Sequence, residues 1–210
     1  MASTNAFTAQ VATFGLIALM LGRQRALPIV TAKRFAKELA MLPITVEQVL
    51  KTAPAVQKIA RTFSKSKQLF FVGRKYSYPV ALEGALKLKE VSYIHAEGYG
   101  AGELKHGPIA LIDKNMPTIG IVPNDSVRDK TLSNLEEIKA RGGPIIAIAT
   151  AGDKTIKKLT KHIIELPPVF ESLSPIISVI PLQLFAYYSA VFNKRDVDKP
   201  RNLAKSVTVE

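Results

Sequence analysis

Four short apolar runs, each separated from the next by sequence that suits a helix or a turn, constrain this chain's fold more than any other feature. They are residues 68–73 (QLFFVG), 116–122, 144–150 (PIIAIAT) and 162–166. Short apolar runs bounded by glycine or polar turns have the form of strands buried on both faces. Residues 126–141 predict a polar amphipathic helix, stopped by Gly142-Gly143. Residues 174–192 predict a long apolar helix, with Pro175 near its start and Pro181 inside, where a kink is expected. Strands alternating with helices make an α/β fold with a parallel sheet covered on both faces. In such sheets ligands bind beyond the carboxyl ends of the strands. That rule nominates the loop after Gly73, residues 96–106, and Asn124-Asp125-Ser126.

Ahead of the first strand the pattern is helical but uneven. Residues 7–22 (FTAQVATFGLIALMLG) contain Thr8, Gln10 and Thr13, leaving an apolar core shorter than the ~18 to 20 residues of a membrane span. No cationic region precedes it, so a buried helix capped by Ser3, Thr4 or Asn5 is expected rather than a signal peptide. Residues 23–37 are basic and broken by Pro28, which suggests a connection, and residues 46–63 again show helical spacing.

The chemistry concentrates in residues 80–108, VALEGALKLKEVSYIHAEGYGAGELKHGP. Its first half is rich in Ala, Leu, Glu and Lys and reads as a helix. At about 100° per residue, Glu83, Lys87 and Glu90 share one narrow arc, with Val80, Leu82, Ala85, Leu86, Leu88 and Val91 over most of the rest. A helix apolar on nearly every side is buried, and buried charges must be paired or put to use. Gly98, Gly100 and Gly102 then read as a flexible bend delivering Glu103, Lys105 and His106. The glycine spacing is not that of a dinucleotide or P-loop motif.

Composition removes several alternatives. With no cysteine there is no disulfide, thiolate metal site or cysteine nucleophile. The net charge of +12 raises nucleic acid as a partner, yet the lysines are scattered and no basic-aromatic repeat accompanies them. A solvated basic surface that attracts anionic substrates is the expected reading. The last residues, 196–210 (DVDKPRNLAKSVTVE), have the composition of a loose tail. Such a tail can also fold over a cleft and supply an amine, and Lys205 sits uncrowded between Ala204 and Ser206.

Three of these stretches together resemble one family: residues 81–108, the terminal DVDKPRNLAKSVTVE, and the opening ASTNAFT. The chain resembles glutamine–fructose-6-phosphate aminotransferase, also called glucosamine-6-phosphate synthase, over nearly its whole length. That resemblance implies a three-layer α-β-α sandwich with a five-stranded parallel sheet, the sugar-isomerase (SIS) fold, one strand more than the four runs above. It implies that residues 1–40 are the end of a first SIS subdomain and a linker, residues 41–195 a second SIS subdomain, and residues 196–210 a tail closing a sugar-phosphate site. The glutaminase and most of the first subdomain are then absent, and the family's glutaminase uses an N-terminal cysteine this chain does not have.

Residue by residue, the resemblance makes Glu90 the proton shuttle between carbons 1 and 2 of the sugar, accompanied by Lys87. It makes His106 the residue that assists ring opening, reaching the site from the other subunit of a homodimer. Lys205 becomes the amine that forms a Schiff base with the open-chain ketone, and Ala2 and Ser3 the edge of the sugar-phosphate site. Asn5 departs from the lysine of the family's ASTKAFT form. The substrates implied are fructose 6-phosphate and glucosamine 6-phosphate, with no cofactor or metal, in the cytoplasm, and with neither nucleic acid nor membrane as partner. The alternative is a non-catalytic SIS module for sugar-phosphate binding or dimerisation.

Overall fold

The computed structural model describes residues 3–203. Within them the order is α1 (Asn5–Gln24), α2 (Ile29–Leu50), α3 (Ala53–Phe63), β1 (Gln68–Gly73), α4 (Ser77–Ser92), β2 (His95–Gly100), β3 (Thr118–Val122), α5 (Arg128–Ala140), β4 (Ile145–Thr150), α6 (Lys154–Leu159), β5 (His162–Leu166) and α7 (Ser174–Phe192). The strands make one parallel sheet in the order β2-β1-β3-β4-β5. Side chains alternate between faces along each strand, and this sorts the interior into two cores. Leu69, Phe71, Ile119, Ile121, Ile146 and Ile148 face α3, α4 and α7. Phe70, Val72, Val122, Ala147 and Ala149 face α5, α6 and the short 3-10 helix Ala101–His106. Helices therefore cover both faces, and the three-layer sandwich is the observed architecture.

The fifth strand is β2, in the segment expected to be a flexible bend. HAEGYG lies at the sheet edge and buries only Ala96 fully, so it carries no apolar run to announce it. Its glycines serve close packing more than freedom. A Cβ on Gly98 would stand 2.8 Å from the Leu82 Cα, so any side chain there would push α4 off the strand. Gly84 does the same on the other side of α4, where a Cβ would come within 2.6 Å of Leu182 on α7.

Two further expectations are corrected, and one helix is added to those the sequence predicts. The basic stretch after Arg23 is not a connection: Pro28 stands at the N-cap of α2, where a missing N–H costs nothing, and the helix runs 22 residues from there. The short α6 announces itself only by its cap, the Asp153 carboxylate accepting the Thr155 and Ile156 amides. Finally, α1 is a helix but not a buried one. None of its residues is fully buried, and its Thr4 cap makes no side-chain hydrogen bond. Phe7, Val11 and Leu19 reach the core, while Phe14, Leu16, Ile17 and Met20 are exposed because no element among the described residues covers that side. By length and composition both α1 and α7 could cross a membrane, though two thirds of the α7 stretch is buried in the core. Along α4, too, burial is less complete than expected, since Leu82 and Leu86 are over 40% exposed.

Candidate functional site

Helix α4 runs from the carboxyl end of β1 back toward the amino end of β2 and packs against both strands and α7. Its charged arc forms as the spacing requires. The Lys87 ammonium lies 2.6 Å from a Glu90 oxygen and 3.6 Å from a Glu83 oxygen. The three side chains are only 7%, 20% and 13% exposed, in the order Lys87, Glu90, Glu83. Burial pushes the Glu83 carboxyl above its ordinary range, against the pull of the Lys87 charge. A cation shared by two carboxylates leaves the group with one surplus negative charge, and Glu90, the more open acid, is the one that faces a cleft.

Thr4 and residues 197–203 come together beside this arc. One cavity of about 170 Å³ is lined by Lys87, Val91, Thr4, Gln183, Val197 and Asp198. Ser3 precedes Thr4 on the exposed rim, and the Thr4 carbonyl accepts the Gln183 side-chain N–H at 3.2 Å. A second cavity of about 350 Å³ holds Glu90 with Lys89, Tyr93, His95, Arg201 and Leu203. The terminal segment that composition presents as a loose tail is docked over residues 196–203: the Asp196 carboxylate accepts the Asp198 and Lys199 amides, Val197 touches the core, and Pro200 is buried. Ala2 and Lys205 lie outside the described residues.

His106 is placed elsewhere. It ends the 3-10 helix beyond the carboxyl end of β2, exposed, with its Nδ1 2.8 Å from a Glu103 oxygen. Glu90 stands at the opposite end of the same strand. The six residues of β2 span roughly 16 Å at 3.3 Å per step, with Glu90 beside one end and His106 beyond the other. One copy of the chain thus brings Lys87 and Glu90 together and keeps His106 apart from them.

At the carboxyl ends of the strands, where the fold rule nominates a ligand mouth, the β1–β3 crevice is bridged instead. Lys75 Nζ donates to Ser126 Oγ at 2.9 Å and to Glu171 at 2.5 Å, and Ser126 donates to the same Glu171 oxygen at 3.0 Å. Beside this bridge only about 60 Å³ remains, next to Asn124, Asp125, Thr150 and Ser178. Burial raises the Asp125 carboxyl, while Lys75 holds Glu171 below the usual range.

The family model described as SIS domain matches residues 62–192, from the end of α3 through α7. The chain belongs to the SIS domain family. All 210 of its residues align at 52% identity with glutamine--fructose-6-phosphate aminotransferase [isomerizing] of Thermus thermophilus, covering 35% of that protein. Over 209 residues it is 49% identical to the Aquifex aeolicus protein of the same name, covering 34% of it. The chain therefore spans about a third of the length of the curated relatives it matches. Among solved structures, the C-terminal domain of glucosamine-fructose-6-phosphate aminotransferase from Francisella tularensis superposes with a TM-score of 0.87 at 41% identity, over 94% of this chain and 56% of that one. The glucosamine-6-phosphate deaminase of Thermotoga maritima, 21% identical with a TM-score of 0.68, shares the fold.

Within the SIS domain, sequence reasoning found the α4 arc and overlooked Tyr93. This residue follows α4 in the left-handed conformation, at φ 63°, where a glycine is the usual occupant. An aromatic residue directly after a predicted helix end, with no glycine or asparagine to take that position, is the signal that could have found it. The Lys75–Ser126–Glu171 bridge left no such mark, because its members are far apart in sequence.

Proposed function

We propose that this SIS domain is the carboxyl-terminal part of the isomerase half of a glucosamine-6-phosphate synthase, with fructose 6-phosphate and ammonia as substrates and glucosamine 6-phosphate and water as products. The Lys87–Glu90 pair carries the reading: an acid held at 2.6 Å by a nearly buried ammonium and opening on a cleft lined by residues 201–203, while Lys87 lines a neighbouring cavity with Thr4 and Asp198. The 52% identity to enzymes named for this reaction supports it.

The chemistry suits these groups. When nitrogen adds to the carbon 2 ketone and water leaves, the resulting imine makes the carbon 1 hydrogens acidic. Glu90 takes one of them as a proton and returns it to carbon 2, turning a ketose skeleton into a 2-amino aldose. Lys87 occupies one oxygen of Glu90, leaving the other directed to substrate, and its charge offsets negative charge that develops on the enol oxygen. Lys205 supplies an amine able to form an imine with the open-chain ketone. Ala2 and Ser3 border the sugar phosphate. The separation of His106 from Glu90 supports a homodimer in which each site takes His106 from the second copy. Residues 1–40 then belong to a preceding SIS subdomain and its linker, residues 41–195 form the second subdomain, and residues 196–210 close the site. The setting is cytoplasmic, with no part for cofactor, nucleic acid or membrane.

The test is exchange of solvent deuterium into bound sugar phosphate, with the chain joined to the rest of an isomerase half. Glu90→Gln should lower the exchange rate ~10² to 10⁴-fold while sugar-phosphate affinity and melting temperature stay near those of the parent. Parent-like exchange in Glu90→Gln overturns the assignment. Tight sugar-phosphate binding without exchange in the parent identifies a non-catalytic module instead.

A further inference from the structure

The left-handed backbone of Tyr93 carries a steric penalty that glycine would avoid, and residues held so need a reason in their surroundings. The reason lies in the terminal segment. The Tyr93 hydroxyl oxygen accepts the Arg201 backbone N–H at 2.8 Å. The Arg201 guanidinium carbon stands 4.3 Å from the centre of the Tyr93 ring, and that of Arg195 stands 5.3 Å from the same ring. Two cations on one aromatic face system, with a hydrogen bond at its tip, make three attachments from residues 195–201 to a single side chain. Its φ turns Tyr93 out of the helical path just past Glu90, three residues earlier, and Tyr93, Glu90, Arg201 and Leu203 line one cavity.

We infer that Tyr93 is a positioning residue: its ring anchors residues 195–203 and fixes where the carboxyl-terminal segment enters the Glu90 cleft. The catalytic consequence rests on the function proposed above, because Lys205 follows Leu203 by two residues in sequence. A segment freed from Tyr93 would offer that amine to the cleft only part of the time, and imine formation would fall by the lost fraction.

The absence of cysteine makes the test direct. Leu203, 38% exposed, is changed to cysteine and labelled with a nitroxide, giving one reporter on the segment. Its spectrum should be restricted in the parent, nearly so in Tyr93→Phe, which keeps the ring, and ~5-fold faster in Tyr93→Leu. Melting temperatures should barely differ. Arg201→Ala, which leaves α4 untouched, should mobilise the label as well and decides the matter if Tyr93→Leu folds poorly. A label as restricted in Tyr93→Leu and Arg201→Ala as in the parent overturns the inference. Borohydride trapping of fructose 6-phosphate on the same proteins, located by mass spectrometry, should fall ~10-fold in Tyr93→Leu. Unchanged trapping with a mobile label also overturns it. If the parent traps no sugar on Lys205, the imine assignment falls, and the nitroxide spectra alone decide the role of Tyr93.

Discussion

Two lysine–glutamate pairs of almost equal length lie at opposite ends of the sheet. Lys75 and Glu171 meet at 2.5 Å over the carboxyl ends of the strands, and Lys87 and Glu90 at 2.6 Å on α4. What separates them is water. The first pair is 43% and 28% exposed, the second 7% and 20%. An exposed pair is worth little because solvent screens it and two long side chains must be ordered to make it. A shielded pair fixes geometry and makes each partner depend on the other. Topology points to the carboxyl-end crevice as the ligand mouth, whereas the chemically capable charges sit where burial gives them force.

Removing each cation in turn should expose this contrast. Lys87→Met leaves Glu83 and Glu90 as neighbouring acids with no counter-ion, and should cost about 3 kcal/mol of stability at neutral pH in denaturant unfolding. The loss should shrink as pH falls. Glu83 already has its carboxyl raised by burial, so its protonated form is favoured in the folded chain. Its contribution is present below the ordinary glutamate range and fades as pH rises through the folded value. A variant whose deficit is the same at pH 5 and pH 7 would show that charge is not its cause.

A smaller effect is expected at the carboxyl end, where Asp153 is the best-held acid. Its burial would raise the carboxyl, but Arg128 hydrogen bonds at 2.6 to 2.8 Å and the Ile156 and Thr155 amides outweigh this and lower it. Asp153→Ala should cost about 1 to 2 kcal/mol, as lost caps do. In the parent that stabilisation is present above the ordinary aspartate value and is lost below about pH 4, as pH falls through the folded value. Acid melts of the variant should therefore be flatter than those of the parent between pH 5 and 3. Smallest of all is Lys75→Met. Calorimetry should find its melting temperature unchanged, and a drop as large as that of Lys87→Met would erase the distinction between the two ends.

How far the fold could be read in advance depended on burial. Residues 68–73, 162–166 and 174–192 have as observed bounds those read from the sequence: the first and last are buried along most of their length, and 162–166, though an edge strand and only half buried, keeps an apolar run in Ile163, Ile164 and Leu166. The edge strand β2 and the half-covered α1 and α2 were misread, since part of what covers an element there is solvent and the apolar pattern thins. The same limit applies to the site. Lys87 with Glu90 follows from helical spacing alone. The placement of His106 at the far end of β2 depends on 95–100 being a strand, which its glycines concealed, and the Tyr93 anchor depends on a contact spanning more than a hundred residues.

The half-covered α1 leaves an apolar groove against α2, and that groove bears on how copies of this molecule should treat one another. At ~0.01 M salt a chain of charge +12 repels its own kind across ~30 Å, about the length of the 20-residue α1. That repulsion should keep the apolar wall of Leu16, Leu19, Leu39 and Val46 away from a second such wall. At ~0.1 M the screening length falls to ~10 Å, and the attraction between apolar surfaces, which added salt does not weaken, is left unopposed. Ionic strength should therefore act on this chain in the reverse sense to its action on the surface ion pairs: the salt that loosens Lys75 from Glu171 should favour contact between whole molecules, which sedimentation at ~0.01 M and ~0.1 M salt would read.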